Sequence, residues 1–332
     1  MMANWPTLSD INSARQAIDG IAIQTPVIRS ALGGDQPYWL KLETLQPSGA
    51  FKLRGAANAI SRLNDVQKER GVVCCSTGNH GTAVAYAAKR MNVPATVCLS
   101  ELVPQVKADA IAAFGGCVLR EGQSQDDAQR AANRLMAQKG VTDIPPFDHF
   151  DVIAGQGTIG LELLEQQPDL KCIIVPLSGG GLMAGVALVV KAIKPSIRII
   201  GVSMDRGAAM AASLEAGHPV EVTEVASLAD SLGGGIGLGN KLTFEICREL
   251  VDEVVLVTED EIYSGMQALF LQDRLVAEGA CAVGHAAILA GKIVLTGPTA
   301  TVITGRNVDM DQFTRVVTGQ TVQLGELEIK GH

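Results

Sequence analysis

Aromatic residues make up only 4% of the 332 positions, although hydrophobic residues reach 47% and charged ones 19%. The apolar content is therefore mostly Ala, Val, Ile and Leu, which suits helices packed closely on a parallel sheet rather than an aromatic-rich β-sandwich. Excess positive charge is also missing. A net charge of −8 argues against nucleic acid or an anionic membrane surface as a partner. No apolar run reaches the ~18 residues of a membrane span; the longest candidate, 182–193, is short enough for a buried helix. The opening Met1-Met2-Ala3-Asn4-Trp5-Pro6 has neither a basic nor an apolar leader segment, so a cytoplasmic protein is expected. The cysteines (Cys74, Cys75, Cys98, Cys117, Cys172, Cys247 and Cys281) are odd in number and form no Cys-x-x-Cys pair. That excludes a secreted disulfide framework and the usual zinc spacings, and leaves reduced thiols.

What is present is alternation. β-Branched apolar runs at 71–76, 95–100 and 117–120 are each followed by a helix-period segment, at 79–90, 106–114 and 124–139. These three β-α units predict a small parallel-sheet lobe over 71–147. After Pro145-Pro146 the pattern resumes, with a helix near 153–167, strands at 172–177, 197–203, 254–257 and 299–304, and helices at 182–193, 208–216, 242–250, 259–277 and 281–292. Residues 148–332 together with 1–70 then form a larger doubly wound lobe; Leu53, Ala56, Ala57, Ile60 and Leu63 give the helical stripe that assigns 1–70 to it. The class is α/β, with two lobes and a ligand cleft between them.

Four segments carry chemistry. Ser178-Gly179-Gly180-Gly181-Leu182 follows a strand and opens a helix, so backbone N–H groups and the helix dipole converge on one anion. It lacks both the lysine of a nucleotide P-loop and the Gly-x-Gly-x-x-Gly spacing of a dinucleotide site, which favours a phosphate monoester; a purely structural glycine turn is the competing reading. Ser76-Thr77-Gly78-Asn79-His80-Gly81 has the same strand-turn-helix setting. Its N–H and O–H donors suit a carboxylate and Asn79 suits a phenolate oxygen, although Ser76 or Thr77 could equally serve as a helix cap. His80 reads as a local structural histidine beside the substrate loop rather than a base. Lys52, in Ser48-Gly49-Ala50-Phe51-Lys52-Leu53-Arg54-Gly55, lies between a turn and a small-residue helix. Phe51 and the alanines offer an apolar wall that lowers an amine pKa; a lysine snorkelling from the helix is the alternative. One such amine with two anion cradles points to an aldehyde phosphate cofactor, pyridoxal 5'-phosphate (PLP). At the far end, Thr301-Val302-Ile303-Thr304-Gly305-Arg306-Asn307-Val308-Asp309 is a strand ending in a hydroxyl. A hydroxyl facing a pyridine nitrogen leaves the ring a weaker electron sink than a carboxylate would, which favours β-elimination; alone, Thr304 is simply a strand end.

These motifs, in this order and with Ile153-Ala154-Gly155-Gln156-Gly157-Thr158 between them, resemble the fold-type II (tryptophan synthase β-like) PLP enzymes, and within them the threonine dehydratase and serine racemase group. The similarity runs from about Thr25 to Asp309. It implies that Lys52 is the Schiff-base lysine and α-proton base, that Asn79 meets the phenolate oxygen, and that Ser178, Gly179, Gly180, Gly181 and Leu182 hold the phosphate. It further implies that Phe51 and Glu278 lie against the cofactor, that Thr304 meets the ring nitrogen, and that Ser76, Thr77, Gly78 and His80 surround the substrate carboxylate; a surface carboxylate at a helix end is the competing reading of Glu278. A homodimer acting on a small amino acid is the family expectation.

Three departures stand out. Thr77 replaces the serine that racemases place opposite the lysine, which disfavours racemisation but leaves a hydroxyl for proton transfer. Gly201-Val202-Ser203-Met204-Asp205 carries Ser203 where metal-binding relatives have glutamate, so no metal is expected. Arg306 replaces a glycine, and is expected to crowd the ring or to reach a further acidic group on the substrate. Together with Asp230-Ser231-Leu232-Gly233-Gly234-Gly235, the Thr304-Gly305-Arg306-Asn307 segment resembles the dehydratases of hydroxyectoine utilisation. The expected reaction is loss of water from a β-hydroxy-α-amino acid. Racemisation, β-replacement on the same scaffold, or PLP binding without catalysis are the alternatives.

Overall fold

A computed structural model describes residues 5–331, so the 1–4 segment read for a leader lies outside the described residues. The strands are β1 (Val27–Arg29), β2 (Tyr38–Leu42), β3 (Val72–Cys75), β4 (Ala95–Leu99), β5 (Cys117–Arg120), β6 (Thr142–Asp143), β7 (Cys172–Pro176), β8 (Arg198–Met204), β9 (Glu253–Val257), β10 (Thr299–Ile303), β11 (Val322–Leu324) and β12 (Leu327–Ile329). The helices are α1 (Leu8–Ala17), α2 (Lys52–Ser61), α3 (Asp65–Arg70), α4 (Asn79–Arg90), α5 (Gln105–Ala113), α6 (Gln125–Lys139), α7 (Phe150–Gln166), α8 (Gly181–Ile193), α9 (Ala209–Ala216), α10 (Thr243–Leu250), α11 (Glu259–Leu271), α12 (Gly279–Leu289) and α13 (Met310–Val317). None is long and apolar enough to cross a membrane.

Two parallel sheets organise the chain. The larger runs β1-β2-β10-β7-β8-β9, parallel except for β1, and the smaller runs β5-β4-β3-β6. Period-two alternation sends Ile173, Val175, Ile199, Ala300 and Val302 into one core with α7 and α8. The intervening Ile174, Ile200, Val202 and Ile303 enter a second core with α11 and α12. Both faces of the larger sheet are thus covered, as a near-continuous apolar strand such as Cys-Ile-Ile-Val-Pro requires. The stripe Leu53, Ala56, Ala57 and Ile60 of α2 joins neither core. It packs with Val72, Val84, Val97 and Val152 against the smaller sheet.

The predicted 259–277 helix ends earlier, at Leu271. Asp273 turns aside there to accept from Ser30 Oγ (2.8 Å), Ala31 N (2.9 Å) and the His285 ring (3.0 Å), and Arg274 adopts φ +60°.

Helices α2 and α7 meet at glycines: a Cβ on Gly155 would lie 2.5 Å from the Arg54 carbonyl oxygen. At that crossing lies a buried ionic quartet. Arg54 donates to both oxygens of Glu43 (2.8 and 2.8 Å) and of Glu162 (2.6 and 2.9 Å), and to Thr158 (3.1 Å) and the Ile23 carbonyl (3.2 Å). Lys41, from β2, donates to Glu162 at 2.5 Å. Burial alone would raise the Glu43 carboxyl, but the Arg54 guanidinium holds it below its ordinary value. The quartet joins β2, the 43–45 turn, α2 and α7, and so fixes the segment that carries Lys52.

Candidate active site

The residues singled out in the sequence converge at the C-terminal ends of β3, β7 and β10, where open α/β sheets collect ligands. Lys52 opens α2 two residues before the quartet's Arg54. It is partly buried, and its Nζ donates to the Pro146 carbonyl at 2.7 Å and lies 5.3 Å from the Phe51 ring centre. Burial pulls its pKa down to about 8. The backbone beside it is stitched to the end of β10: Phe51 N–H donates to the Thr304 carbonyl (2.9 Å), Arg306 N–H to the Gly49 carbonyl (2.9 Å), and Ala50 bridges Gly305.

Helices α4 and α8 start at the site without a side-chain cap, as do α2 and α12. The N-cap of α4 is Gly78, so neither Ser76 nor Thr77 caps this helix; Ser76 Oγ instead accepts weakly from Gly78 N–H (3.4 Å). The N-cap of α8 is Gly180, at φ +85° in the left-handed region. By contrast, Thr7, Ser124 and Thr258 cap α1, α6 and α11 with full capping boxes. The neighbouring α10 start is satisfied by Asp148, which accepts from Lys241, Leu242 and Thr243 N–H, each at 2.9 Å. The glycine loop packs on Phe147: a Cβ on Gly179 would sit 2.4 Å from that ring. Phe147 follows Pro146, so one short segment touches both the lysine and the loop. Leu182 turns its side chain into the core, leaving its backbone for an anion.

Asn79 and Glu278 meet directly. Asn79 Nδ2 donates to both Glu278 oxygens (2.9 and 3.0 Å), and Glu278 also accepts from Ser231 Oγ (2.6 Å) and Asn307 N–H (2.9 Å). The carboxyl is buried rather than on the surface, and burial raises its pKa. His80 is buried, with Nε2 2.6 Å from the Ile144 carbonyl. Burial, with the Lys52 charge adding to it, lowers its pKa to about 3. The imidazole is therefore neutral and Nε2 carries its proton. Thr304 Oγ1 lies 3.2 Å from the Cys281 thiol, which burial pushes up to about 12.

Sequence reasoning missed Cys281, Ser231 and Asn307. Each acts through a hydrogen bond to a distant residue; Ser231 and Asn307 lie inside quoted motifs, whereas Cys281 carried no signal beyond its burial among apolar residues. Arg306 is exposed and joins the site through its backbone. Ser203 is buried, its hydroxyl facing Met204 Sδ at 3.8 Å; among the described residues no group of three or more metal-binding side chains occurs.

A desolvated lysine at a sheet's C-terminal edge, faced by two uncapped helix N-termini and an uncharged hydroxyl–thiol pair, defines an α/β enzyme built around PLP. The chain belongs to the family described as pyridoxal-phosphate dependent enzymes, whose model matches residues 18–305. It is 51% identical over 318 residues to a Sinorhizobium fredii protein provisionally named a threonine dehydratase, covering 94% of this chain and 96% of that one. To the L-threonine ammonia-lyase of Thermotoga maritima it is 38% identical, over 96% and 80% of the two chains. Among solved structures, maize serine racemase superposes with a TM-score of 0.87 at 34% identity, over 94% of this chain and 97% of that one. The chain is thus a PLP-dependent lyase of the threonine dehydratase-like kind.

The residues present fit that cofactor. Only glycine accommodates both the left-handed backbone at Gly180 and the Phe147 ring against Gly179, and the resulting loop leaves the first N–H groups of α8 available to a phosphate.

Proposed function

We propose that this enzyme removes water from a β-hydroxy-α-amino acid and releases a keto acid and ammonia. The substrate is of the serine and threonine type, or a hydroxylated amino acid derived from hydroxyectoine. The observation that carries the reading is the pairing of a partly buried amine of pKa about 8 with a neutral hydroxyl, Thr304, at the end of β10. Bound PLP supplies an electron sink for the carbanion formed at Cα. The chain's own groups do the rest. The α4 N-terminus and the Ser76–Thr77–Gly78 turn hold the substrate carboxylate, and the loop 178–182 anchors the cofactor phosphate. Lys52, partly deprotonated near neutral pH, takes the α-proton. Thr304 and Cys281 are both uncharged, so nothing at that edge stabilises a long-lived carbanion, and prompt loss of the β-hydroxyl is favoured over reprotonation. Thr77, at the position that the family resemblance sets opposite Lys52, supplies a hydroxyl for proton transfer. The 71–147 unit, which carries α4, closes over the substrate and excludes water.

The test is Lys52→Ala, purified with PLP and followed by visible absorbance and by keto acid and ammonia release from serine, threonine and related hydroxy amino acids. Absorbance of the lysine-linked cofactor and turnover should vanish together; full activity in the variant would remove Lys52 from this role.

A further inference from the structure

Arg306 sits at the junction of the site's two halves. The residue before it, Gly305, lies against Glu278: a Cβ there would be 2.4 Å from Glu278 Oε1. The residue after it, Asn307, donates its N–H to the same oxygen (2.9 Å) and its side-chain amide to Asn79 Oδ1 (2.6 Å). On the other oxygen of Glu278, Ser231 Oγ docks at 2.6 Å, and two residues beyond Ser231 the run Gly233-Gly234-Gly235 begins. One carboxyl is therefore gripped from both sides. That ties the segment carrying Arg306 and the segment carrying the glycine run to one carboxyl, which also meets Asn79.

The glycine run opens out after its first residue, where a Cβ on Gly233 would lie 3.1 Å from the Asp230 carbonyl oxygen and 3.6 Å from Glu224 Oε1. A Cβ on Gly234 would meet nothing within 4 Å, and one on Gly235 would find only the Gly237 nitrogen, at 3.9 Å. The Arg306 cation is unspent. Glu278 is committed to Asn79, Ser231 and Asn307, and Asp309 accepts from Gln312 N–H at the start of α13 (2.9 Å). Among the described residues the Arg306 guanidinium forms no ion pair. A methyl or hydrogen beyond the reacting β-carbon, as in threonine or serine, would leave both the open volume and the positive charge without a partner. A second carboxylate answers both, because a guanidinium fork binds a carboxylate through two parallel hydrogen bonds.

We propose that Arg306 selects substrates with a second anionic group, namely β-hydroxy-α-amino dicarboxylic acids, of which 3-hydroxyaspartate is the smallest. The proposal rests on the dehydratase reading and narrows its substrate class. The reaction balances: the Cα–H and Cβ–O bonds break, a Cα–Cβ double bond forms and water leaves. The enamine then takes up water at its imine tautomer, so that 3-hydroxyaspartate yields oxaloacetate and ammonia. A site built to bind a charged group discriminates strongly against substrates that lack it, by a factor on the order of 10⁴ in favourable cases.

The experiment measures kcat/KM of the PLP-loaded enzyme for threo-3-hydroxyaspartate, threonine and serine, together with the spectral dissociation constants of L-aspartate and L-alanine, which have no leaving hydroxyl. Wild type should favour the diacid by about 100-fold or more over threonine and bind aspartate more tightly than alanine. Arg306→Gly and Arg306→Gln should each collapse both ratios by at least about 10-fold, with Arg306→Lys between. Preference for threonine in wild type, or unchanged ratios in both neutral variants, overturns the selectivity while leaving the dehydratase reading standing. Failure to eliminate water from any of the three substrates overturns the dehydratase reading, and the selectivity with it.

Discussion

Replacing Arg54 by methionine tests whether the buried quartet holds the lysine-bearing helix in place. Wild type balances two cations, Lys41 and Arg54, against two carboxylates, Glu43 and Glu162, and the variant leaves one cation for two carboxylates. Arg54 and Glu43 are essentially inaccessible to solvent, so water cannot compensate the uncovered charge. Removing one partner of such a group costs about 3–5 kcal/mol, against a total stability of about 5–15 kcal/mol. The transition midpoint should fall by roughly 5–15 °C. Adding Glu162→Gln restores one cation to one carboxylate and should recover part of the loss, a coupling that a double-mutant cycle in denaturant measures. The pH dependence is specific too. In wild type Glu43 is held below its ordinary value, so its contribution is present above about pH 4.5 and fades as pH falls through its lowered folded pKa. Without Arg54, burial raises the Glu43 pKa and the carboxyl takes up a proton instead. The gap between the proteins should therefore be widest near neutral pH and narrow toward pH 4. A variant within about 1 kcal/mol of wild type at pH 7 would refute the reasoning.

Three further outcomes are expected. Gly180→Ala forces a left-handed residue against Met210 (2.7 Å) and Thr243 (2.9 Å), and should cost about 2–4 kcal/mol while weakening PLP binding in an equilibrium titration. Asp148→Ala strips the acceptor from three N–H groups at the start of α10; a loss of about 1–2 kcal/mol is expected, with faster amide hydrogen exchange at 241–243. In the cofactor-stripped protein, Lys52 is held at about 8 against an ordinary 10.5. Between those values the unfolded chain binds more protons, so stability rises with pH. Lys52→Met should therefore be more stable than wild type below about pH 8 and lose that advantage by about pH 10.5, as read from denaturation midpoints.

The alternating lobes were legible because β3, β4, β7 and β8 are short apolar runs bounded by turns, and α4 and α6 carry clear periodicity. β2 escaped notice because Lys41 interrupts it, and a lysine in a strand reads as solvated until Glu162, from α7, appears beside it. β6 is two residues long and exists only through its pairing with β3. The site's backbone motifs were readable, since glycine loops and small-residue turns leave a local signature. The Asn79–Glu278–Ser231–Asn307 network was not, because its members lie up to 228 residues apart in sequence and no local pattern encodes such a pairing. The start of the glycine-rich 230–237 loop is anchored by Ser231 on Glu278 and by Leu232 in the core.

The bare starts of α4 and α8 bear on how this chain survives in a cell. Helices α1, α6 and α11 finish their own first turns with Thr7, Ser124 and Thr258, whereas α4 and α8 start on glycines and leave donors that an anion can complete. A ligand that completes them adds to folding free energy, by about 2.7 kcal/mol at a hundred times its dissociation constant. Vitamin supply would then govern abundance as well as activity: chains made while PLP is scarce would open more often, and proteolysis would remove them before chemistry could be measured.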